Sequence, residues 1–415
     1  MALLGGLLSV KGVAYLSFSV FIVAAIGYAL GKITIKGVNL GTAGVFIIAL
    51  LFGCFFYDSL DAQLVIKGTE TTYTGDALKV VENLGLIFFV TSVGFIAGPN
   101  FFGNLKKNFK SYVLLGLVII AAASLTCVAC IFVGKSLSPS VSANEMKAML
   151  VGLMSGALTS TPAFASAKAT IASLATNVDE AVTLESVVTV GYGIAYLFGV
   201  VGVVLFVQII PKILKADMTE EVKKISINKN ETKARKHVKL VDMDEFGLMV
   251  FSLAVILGIM VGAISYNNFS LTTTGGCLLV ALVFGHFGNI GRLNIIPKTS
   301  TLKILRELGL MFFLIGAGIP GGAKFVDYFE LSYFVYGVIM TTIPMVIGYF
   351  VAKHLLKLPL LNTLGSITGG MTSTPALGTL INTSGTEDVA TAYAATYPIA
   401  LVAIVVASQL ILLVC

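Results

Sequence analysis

The chain has little charge: Asp, Glu, Lys and Arg make up only 12% of its 415 residues, whereas 57% are hydrophobic. Soluble domains carry about 25% charged residues, so this composition excludes a soluble protein. Apolar stretches near or above the length of a membrane-spanning helix recur along the chain, at 13–31, 40–56, 112–133 and 187–210 in the first half. They are too long and too continuously apolar for barrel strands. The composition therefore predicts an all-α polytopic membrane protein.

Catalytic and metal-binding motifs are also lacking. Five cysteines, mostly inside apolar runs, form no disulfide framework, and Cys127 and Cys130 have no His or carboxylate nearby to complete a metal site. The sequence contains neither HExxH nor GxSxG, and segment 27–32 is one residue short of a phosphate-binding loop. We therefore predict no enzyme, no metal and no cofactor, and any transport must be driven by gradients.

The chain repeats itself once, in four matches that occur in the same order. They are the Thr-Ser-Thr-Pro-Ala motif at 159–163 and 372–376, the similar segments 84–89 and 308–313, the pairs Gly27/Gly31 and Gly258/Gly262, and the pairs Tyr192/Tyr196 and Tyr393/Tyr397. Such repetition predicts two homologous membrane repeats, residues 1–211 and 246–415, joined by a polar linker at 212–245.

The distribution of positive charge predicts how these repeats are oriented. A formal net charge of +6 can suggest nucleic acid, but the basic residues lie in short clusters between apolar spans, so loop orientation is the better interpretation and no nucleic-acid partner is expected. Nine of the 27 basic residues lie in the linker, which places it in the cytoplasm. With five crossings and one broken, re-entrant hairpin per repeat, twenty basic residues become cytoplasmic and six external. This count predicts inverted repeats with both termini external, as is common in secondary transporters.

The two Thr-Ser-Thr-Pro motifs are the strongest candidates for a binding site. Proline in an apolar stretch breaks the helix, and broken ends at membrane depth are tolerated where they line a cavity or bind a ligand. The N-terminus of a half-helix offers N–H donors and partial positive charge to a carboxylate. The alternative is that Ser/Thr-Pro merely kinks each helix. The predicted substrate-binding residues are Thr159, Ser160, Thr161, Pro162, Thr372, Ser373, Thr374 and Pro375.

Other polar residues are weaker candidates. Lys168 could pair with a substrate carboxylate or extend to the membrane interface. The pairs Tyr192/Tyr196 and Tyr393/Tyr397 could offer hydroxyls to a substrate, with aromatic packing as the commoner explanation. Of the four, Tyr196 and Tyr397 are the predicted binding residues. Glu185, Glu387 and Asp388 could bind coupling cations, with solvated helix caps as the commoner explanation.

At these motifs the sequence resembles the aspartate–alanine exchanger family of bacterial transporters. The matching segments are 27–37, 94–102, 156–163, 369–376 and 392–398. The resemblance implies a homodimeric inner-membrane carrier that exchanges amino acids or dicarboxylates. Family members usually carry a large cytoplasmic region between the repeats, and here only the short linker is present. The repeats also differ from each other where Leu197 matches Pro398 and Ala323 matches Pro99.

Together these observations predict a multi-pass carrier of small carboxylates in the bacterial inner membrane, working by elevator-like alternating access. Its expected partners are a small anionic substrate, the lipid bilayer and a second copy of the chain. Three alternatives remain: a Na⁺- or H⁺-coupled symporter, an anion channel, and a membrane enzyme or receptor. The sequence names neither the substrate nor the coupling ion.

Overall fold

The structure is a computed structural model that describes all residues except 1, 4–7, 10, 36–37, 40, 67–70, 108, 227–240, 267–268, 271 and 387. The first repeat contains α1 Val13–Gly31, α2 Ala43–Asp61, α3 Thr74–Lys107, α4 Leu114–Leu137, α5 Ala143–Ala157, α6 Thr161–Ser173 and α7 Val178–Ile213. The linker contributes α8 Met218–Ser226. The second repeat contains α9 Leu248–Gly262, α10 Thr272–Phe287, α11 Thr299–Ala323, α12 Phe325–Tyr328, α13 Leu331–Phe350, α14 Leu360–Gly370, α15 Thr374–Ser384 and α16 Val389–Val414.

Strands in the described residues are only two residues long and lie between the helices. Antiparallel pairs join Ala2–Leu3 to Leu8–Ser9, Thr34–Ile35 to Val38–Asn39, and Ser265–Tyr266 to Phe269–Ser270. In a three-stranded sheet, Leu293–Asn294 pairs parallel with Val241–Asp242 and antiparallel with Asn289–Ile290. Single π-helical turns at Phe109–Val113 and Val351–Leu355 precede α4 and follow α13.

Long apolar helices confirm the predicted fold class, an all-α polytopic membrane protein. Seven helices of the described chain are long and apolar enough to cross a membrane: α1, α2, α3, α4, α7, α13 and α16. Helices α9 and α10 are apolar but shorter. Helix α11 is as long as the others but carries Lys303, Arg306 and Glu307 in its first half. It matches α3 of the first repeat.

Helices α3 and α11 show how the two repeats are related. Gly85 faces the backbone of Phe313, where a Cβ would lie 2.3 Å from its nitrogen, and Gly309 faces Phe89 at 2.4 Å. Gly85 and Phe89 occupy the same positions in the first repeat as Gly309 and Phe313 in the second. The helices therefore run antiparallel and exchange equivalent contacts across a two-fold axis perpendicular to them. This is the arrangement that inverted repeats predict.

The helices pack into two bodies, each drawn from both repeats. In the first, which we call the α3–α11 body, α1, α2 and α3 pack with α9, α10 and α11. In the second, the hairpin body, α4–α7 pack with α13–α16. One large apolar cluster contains residues of both bodies, among them Phe164 of α6 and Phe313 of α11. The candidate site lies where these bodies meet.

Candidate functional site

Each Thr-Ser-Thr-Pro motif separates two helices, as predicted. Helix α5 ends at Ala157 and α6 begins at Thr161, with Pro162 in its first turn. Helix α14 ends at Gly370 and α15 begins at Thr374, with Pro375 in its first turn. Proline is accommodated there because the first N–H groups of a helix have no intrahelical partner. The kinked-helix alternative is therefore wrong, since both helices break.

The first hairpin enters and leaves on the same side of the molecule. Helix α5 runs parallel to α7, because Gly152 faces Val188 and Gly156 faces Tyr192. Helix α6 runs the other way, since Phe164 stacks on Tyr192 and Lys168 approaches Glu185. Helices α14 and α16 repeat the parallel arrangement through Gly369 and Tyr393. Two antiparallel helices joined at a tip are the geometry that a re-entrant hairpin predicts.

The tips of the two hairpins touch each other. Thr159 Oγ1 donates a hydrogen bond to the carbonyl of Met371 over 3.1 Å, and Thr372 Oγ1 donates to the carbonyl of Leu158 over 2.7 Å. These bonds are equivalent under the repeat, so the tips meet on the two-fold axis. They also satisfy carbonyls that the ends of α5 and α14 leave without helical partners. Thr159 and Thr372 have φ of +53° and +51°, a conformation that is rare for β-branched residues.

A cavity of about 540 Å³ lies beside the touching tips. The tips contribute Thr159, Thr161, Pro162, Thr372 and Pro375, helices α7 and α16 contribute Tyr196, Tyr393 and Tyr397, and α3 and α11 contribute Phe89, Val93, Ile96, Ala97, Arg306, Glu307 and Leu310. The wall is mostly apolar, with hydroxyls from the tips and the tyrosines and one charged pair, Arg306 with Glu307. Such a composition is typical of a site for a small ligand with few polar groups.

Seven of the predicted residues line this cavity: Thr159, Thr161, Pro162, Thr372, Pro375, Tyr196 and Tyr397. Ser160 and Ser373 are fully buried behind the tips and do not line it. Ser160 Oγ accepts a bond from the Ala163 N–H over 3.4 Å, whereas Ser373 Oγ has no hydrogen-bond partner among the described residues. The side chain of Thr374 lies outside the described part of the chain.

Lys168 is not among the lining residues, because it is paired inside the protein. Its Nζ lies 2.7 Å from Glu82 Oε1 and 3.9 Å from Glu185 Oε2, and its side chain is 8% exposed. Glu185 also pairs with Lys79, at 2.5 and 2.6 Å. It is thus an ion-paired residue within α7 rather than a solvated cap. Asp388 directly precedes α16, and Glu387 lies outside the described residues.

The tyrosine pairs divide between packing and the cavity. The Tyr192 ring is fully buried, with centroids 4.2 Å from Phe164 and 4.8 Å from Tyr196, so packing explains it. Tyr393 and Tyr397 stack on each other at 5.1 Å and both line the cavity. Both were possible hydroxyl donors from the sequence, but only Tyr397 was among the predicted binding residues.

Arg306 and Glu307 are the main lining residues that sequence reasoning missed. Arg306 counted only as a cytoplasmic positive charge, yet it lies in α11 with Nη2 2.8 Å from Glu307 Oε1. The repeat contained the signal that places it in a helix, because aligning 84–89 with 308–313 sets Arg306 against Glu82 of α3. The two side chains are 35% and 47% exposed, at the mouth of the cavity.

The mouth opens on the side of the linker. The lining residues of α3, from Phe89 to Ala97, follow the crossing at Gly85, and Arg306 and Glu307 precede Gly309. Because the helices are antiparallel, these segments lie at one end of the pair. The same end carries the small sheet in which Val241–Asp242, from the end of the linker, pairs with Leu293–Asn294 just before α11.

Comparison with known proteins agrees with this architecture. A family model described as a predicted permease membrane region matches residues 19–212 and 250–413. Uncharacterized transporters of Bacteroides fragilis and Bacteroides thetaiotaomicron are each 26% identical to the chain, over 95% of it and 97% of the relative. An uncharacterized transporter of Desulfotalea psychrophila is 24% identical, over 95% of the chain and 96% of the relative.

These relatives carry segments that the chain lacks, because the Bacteroides alignments extend over 556 positions and the chain has 415 residues. The matched ranges cover most of both repeats, and most of the linker lies between them. The resemblance found in the motifs is therefore confirmed, and the protein is a multi-pass membrane transporter that belongs to the aspartate–alanine exchanger family.

Proposed function

We propose that this protein exchanges small carboxylates across the bacterial inner membrane by alternating access. The observation that carries the proposal is a cavity of about 540 Å³ in which both hairpin tips face the same space as Arg306. Helix N-termini and hydroxyls favour an anion at the tips. The guanidinium of Arg306 favours a carboxylate, which it can bind through two parallel hydrogen bonds.

The substrates that fit this arrangement are amino acids such as aspartate and alanine, or dicarboxylates. One carboxylate would lie against Thr161 and the start of α6, and Arg306 would hold a second. Glu307 offers an acceptor for the ammonium group of an amino acid, a contact that a plain dicarboxylate does not make. Lys168 could bind substrate only after its ion pair with Glu82 separates, so we give it no role in substrate binding.

Alternating access would come from the hairpin body moving against the α3–α11 body. Both bodies line the cavity, since Thr161 belongs to the hairpin body and Arg306 belongs to the α3–α11 body. A sliding movement would carry the tips from one face of the membrane to the other. We further propose a homodimer, with the linker in the cytoplasm and both termini outside.

Exchange is tested with purified protein in liposomes. We expect uptake of labelled aspartate, alanine or succinate only when the liposomes contain unlabelled substrate. Uptake that needs only a Na⁺ or H⁺ gradient would instead indicate a symporter. Ionic currents with no stimulation by internal substrate would indicate a channel.

The site itself is tested by substitution. Thr161→Val and Thr374→Val keep the shape of the tips and remove a hydroxyl, and Arg306→Gln removes the charge. We expect Arg306→Gln to lower transport efficiency by roughly 10- to 100-fold, the usual value of a hydrogen bond to a charged group. Arg292→Gln, at an exposed turn, is the matched control. Uptake that is unchanged by all three site substitutions would show that the site is elsewhere.

A further inference from the structure

Four charged residues join the two bodies at the end of α3 away from the cavity mouth. Lys79 and Glu82 lie three residues apart on α3, in the α3–α11 body. Lys168 on α6 and Glu185 on α7 belong to the hairpin body. Each body contributes one positive and one negative charge. The close pairs, Glu82 with Lys168 at 2.7 Å and Lys79 with Glu185 at 2.5 Å, both cross between the bodies.

These ion pairs lie at the end of α3 opposite the mouth of the cavity. Lys79 and Glu82 precede Gly85 on α3, whereas the residues of α3 that line the cavity follow it. Glu82 also lies beside Gly316, beyond the crossing on α11. The pairs thus lie at the face from which the cavity is closed, while Arg306 and Glu307 lie at the face to which it opens.

The Glu82–Lys168 pair is not repeated on the linker side. The repeat aligns Glu82 with Arg306, and it aligns Lys168 with Ile381. The two-fold symmetry of the helices therefore relates the two faces, but this buried pair is found on only one of them. Both side chains of the pair are 8% exposed.

We propose that Lys79, Glu82, Lys168 and Glu185 form a latch that keeps the cavity closed on the face opposite the linker and must separate before substrate can exchange there. The proposal rests on the alternating access proposed above. Removing one partner of a buried ion pair leaves the other charge without compensation. Since opening would hydrate that charge, loss of one partner should favour the open form on this face.

The test measures which face of the membrane can reach the cavity, without any substrate. The five native cysteines are replaced, and Ala394→Cys, on the cavity wall, reports access to a membrane-impermeant maleimide added to either face of sealed vesicles. In a separate variant, Lys223→Cys on α8 identifies the linker face. In the otherwise unchanged protein we expect rapid labelling from the linker face and slow labelling from the opposite face.

Two substitutions should open the latch. Glu82→Gln and Lys168→Met should each raise labelling from the face opposite the linker by roughly tenfold, because a modest change in state populations is sufficient. Lys79→Gln should have a smaller effect, since its side chain is 47% exposed. Lys168→Arg should keep the slow rate. Lys223→Gln, in an exposed pair on α8, is the matched control and should change neither rate.

Slow labelling from that face in Glu82→Gln, Lys168→Met and Lys79→Gln would overturn the proposal. Lys79→Gln at the exposed edge keeps the test decisive if the buried variants fail to fold. A protein that carries none of the tested carboxylates would contradict the proposed function but leave the labelling result intact. The two proposals can therefore fail separately.

Discussion

The tips of the two hairpins have the same geometry, but different contacts hold the two hairpins in place. Both tips have a threonine at positive φ, a proline in the next turn and one bond to the other tip. Behind the first tip, Phe164 is fully buried against Tyr192, and Lys168 is paired with Glu82. The first hairpin is thus fixed by aromatic packing and by charge.

In the described part of the second hairpin, the two matching positions carry neither an aromatic ring nor a charge. The positions of Phe164 and Lys168 are taken by Leu377 and Ile381, which are only partly buried, and a Cβ at Gly378 would meet no atom within 4 Å. Its first helix is instead contacted by the linker, where Glu221 accepts a bond from the Leu360 N–H. The repeated residues therefore determine the geometry of the tips, and the unrepeated ones determine how firmly each hairpin is held.

The largest expected effect is the loss of the aromatic support. Phe164→Ala should lower the free energy of unfolding by about 3–5 kcal/mol, because it removes a buried ring and leaves a cavity. Leu377→Ala at the matching position should cost below about 2 kcal/mol, since the side chain is only partly buried. Chemical unfolding in detergent micelles measures both. Equal losses would show that the hairpins are equally well packed.

Close helix contacts give the next largest difference. Gly156→Ala would place a Cβ 2.4 Å from the Tyr192 carbonyl oxygen, whereas Gly369→Ala would place one 2.8 Å from that of Tyr393. We expect the first change to cost about 1–3 kcal/mol and the second less, because the looser hairpin can shift. Melting temperatures in detergent measure the difference. A larger loss for Gly369→Ala would contradict the idea that the second hairpin adapts more easily.

The sequence predicted those parts of the fold that depend on periodicity and repetition. Apolar length identified the spanning helices, and Pro162 and Pro375 located the breaks because proline has a strong local effect on a helix. Counting crossings predicted inverted repeats, and the contacts of Gly85 and Gly309 agree with antiparallel α3 and α11.

The sequence did not predict the contacts that depend on how helices face each other. Arg306 was counted only among the cytoplasmic positive charges, yet its helix places it at the cavity. Lys168 was considered alone because its partner Glu82 is 86 residues away in sequence. The position of Ser160 and Ser373 behind the tips also follows from backbone geometry that the motif does not specify.

The tips should respond alike, in contrast to their supports. Thr159→Val and Thr372→Val keep the β-branched shape and remove one of the two equivalent hydrogen bonds. Each should cost about 1 kcal/mol of unfolding free energy. Unfolding of the single and double variants gives both values and their coupling. Markedly different losses at the two positions would mean that the packing behind each tip, rather than the repeated motif, determines its geometry.

The smallest expected loss of unfolding free energy comes from removing a helix cap, either one within the hairpin or one that the linker supplies. Helix α5 is capped by its own Ser142, whose hydroxyl accepts from the Glu145 N–H over 3.2 Å, whereas Leu360 at the start of α14 relies on Glu221, 3.2 Å away. Ser142→Ala and Glu221→Ala should each cost about 0.5–1 kcal/mol.

Hydrogen exchange distinguishes the two caps. Ser142→Ala should speed exchange only in the first turn of α5. Glu221→Ala should speed it both in the first turn of α14 and in α8, because Ile225 of that helix packs with Leu361 and Leu364 in one apolar cluster. If α8 loosens while α14 keeps its protection, the linker is not what holds the second hairpin. If both loosen together, a change in the linker can reach the second hairpin without passing through the first.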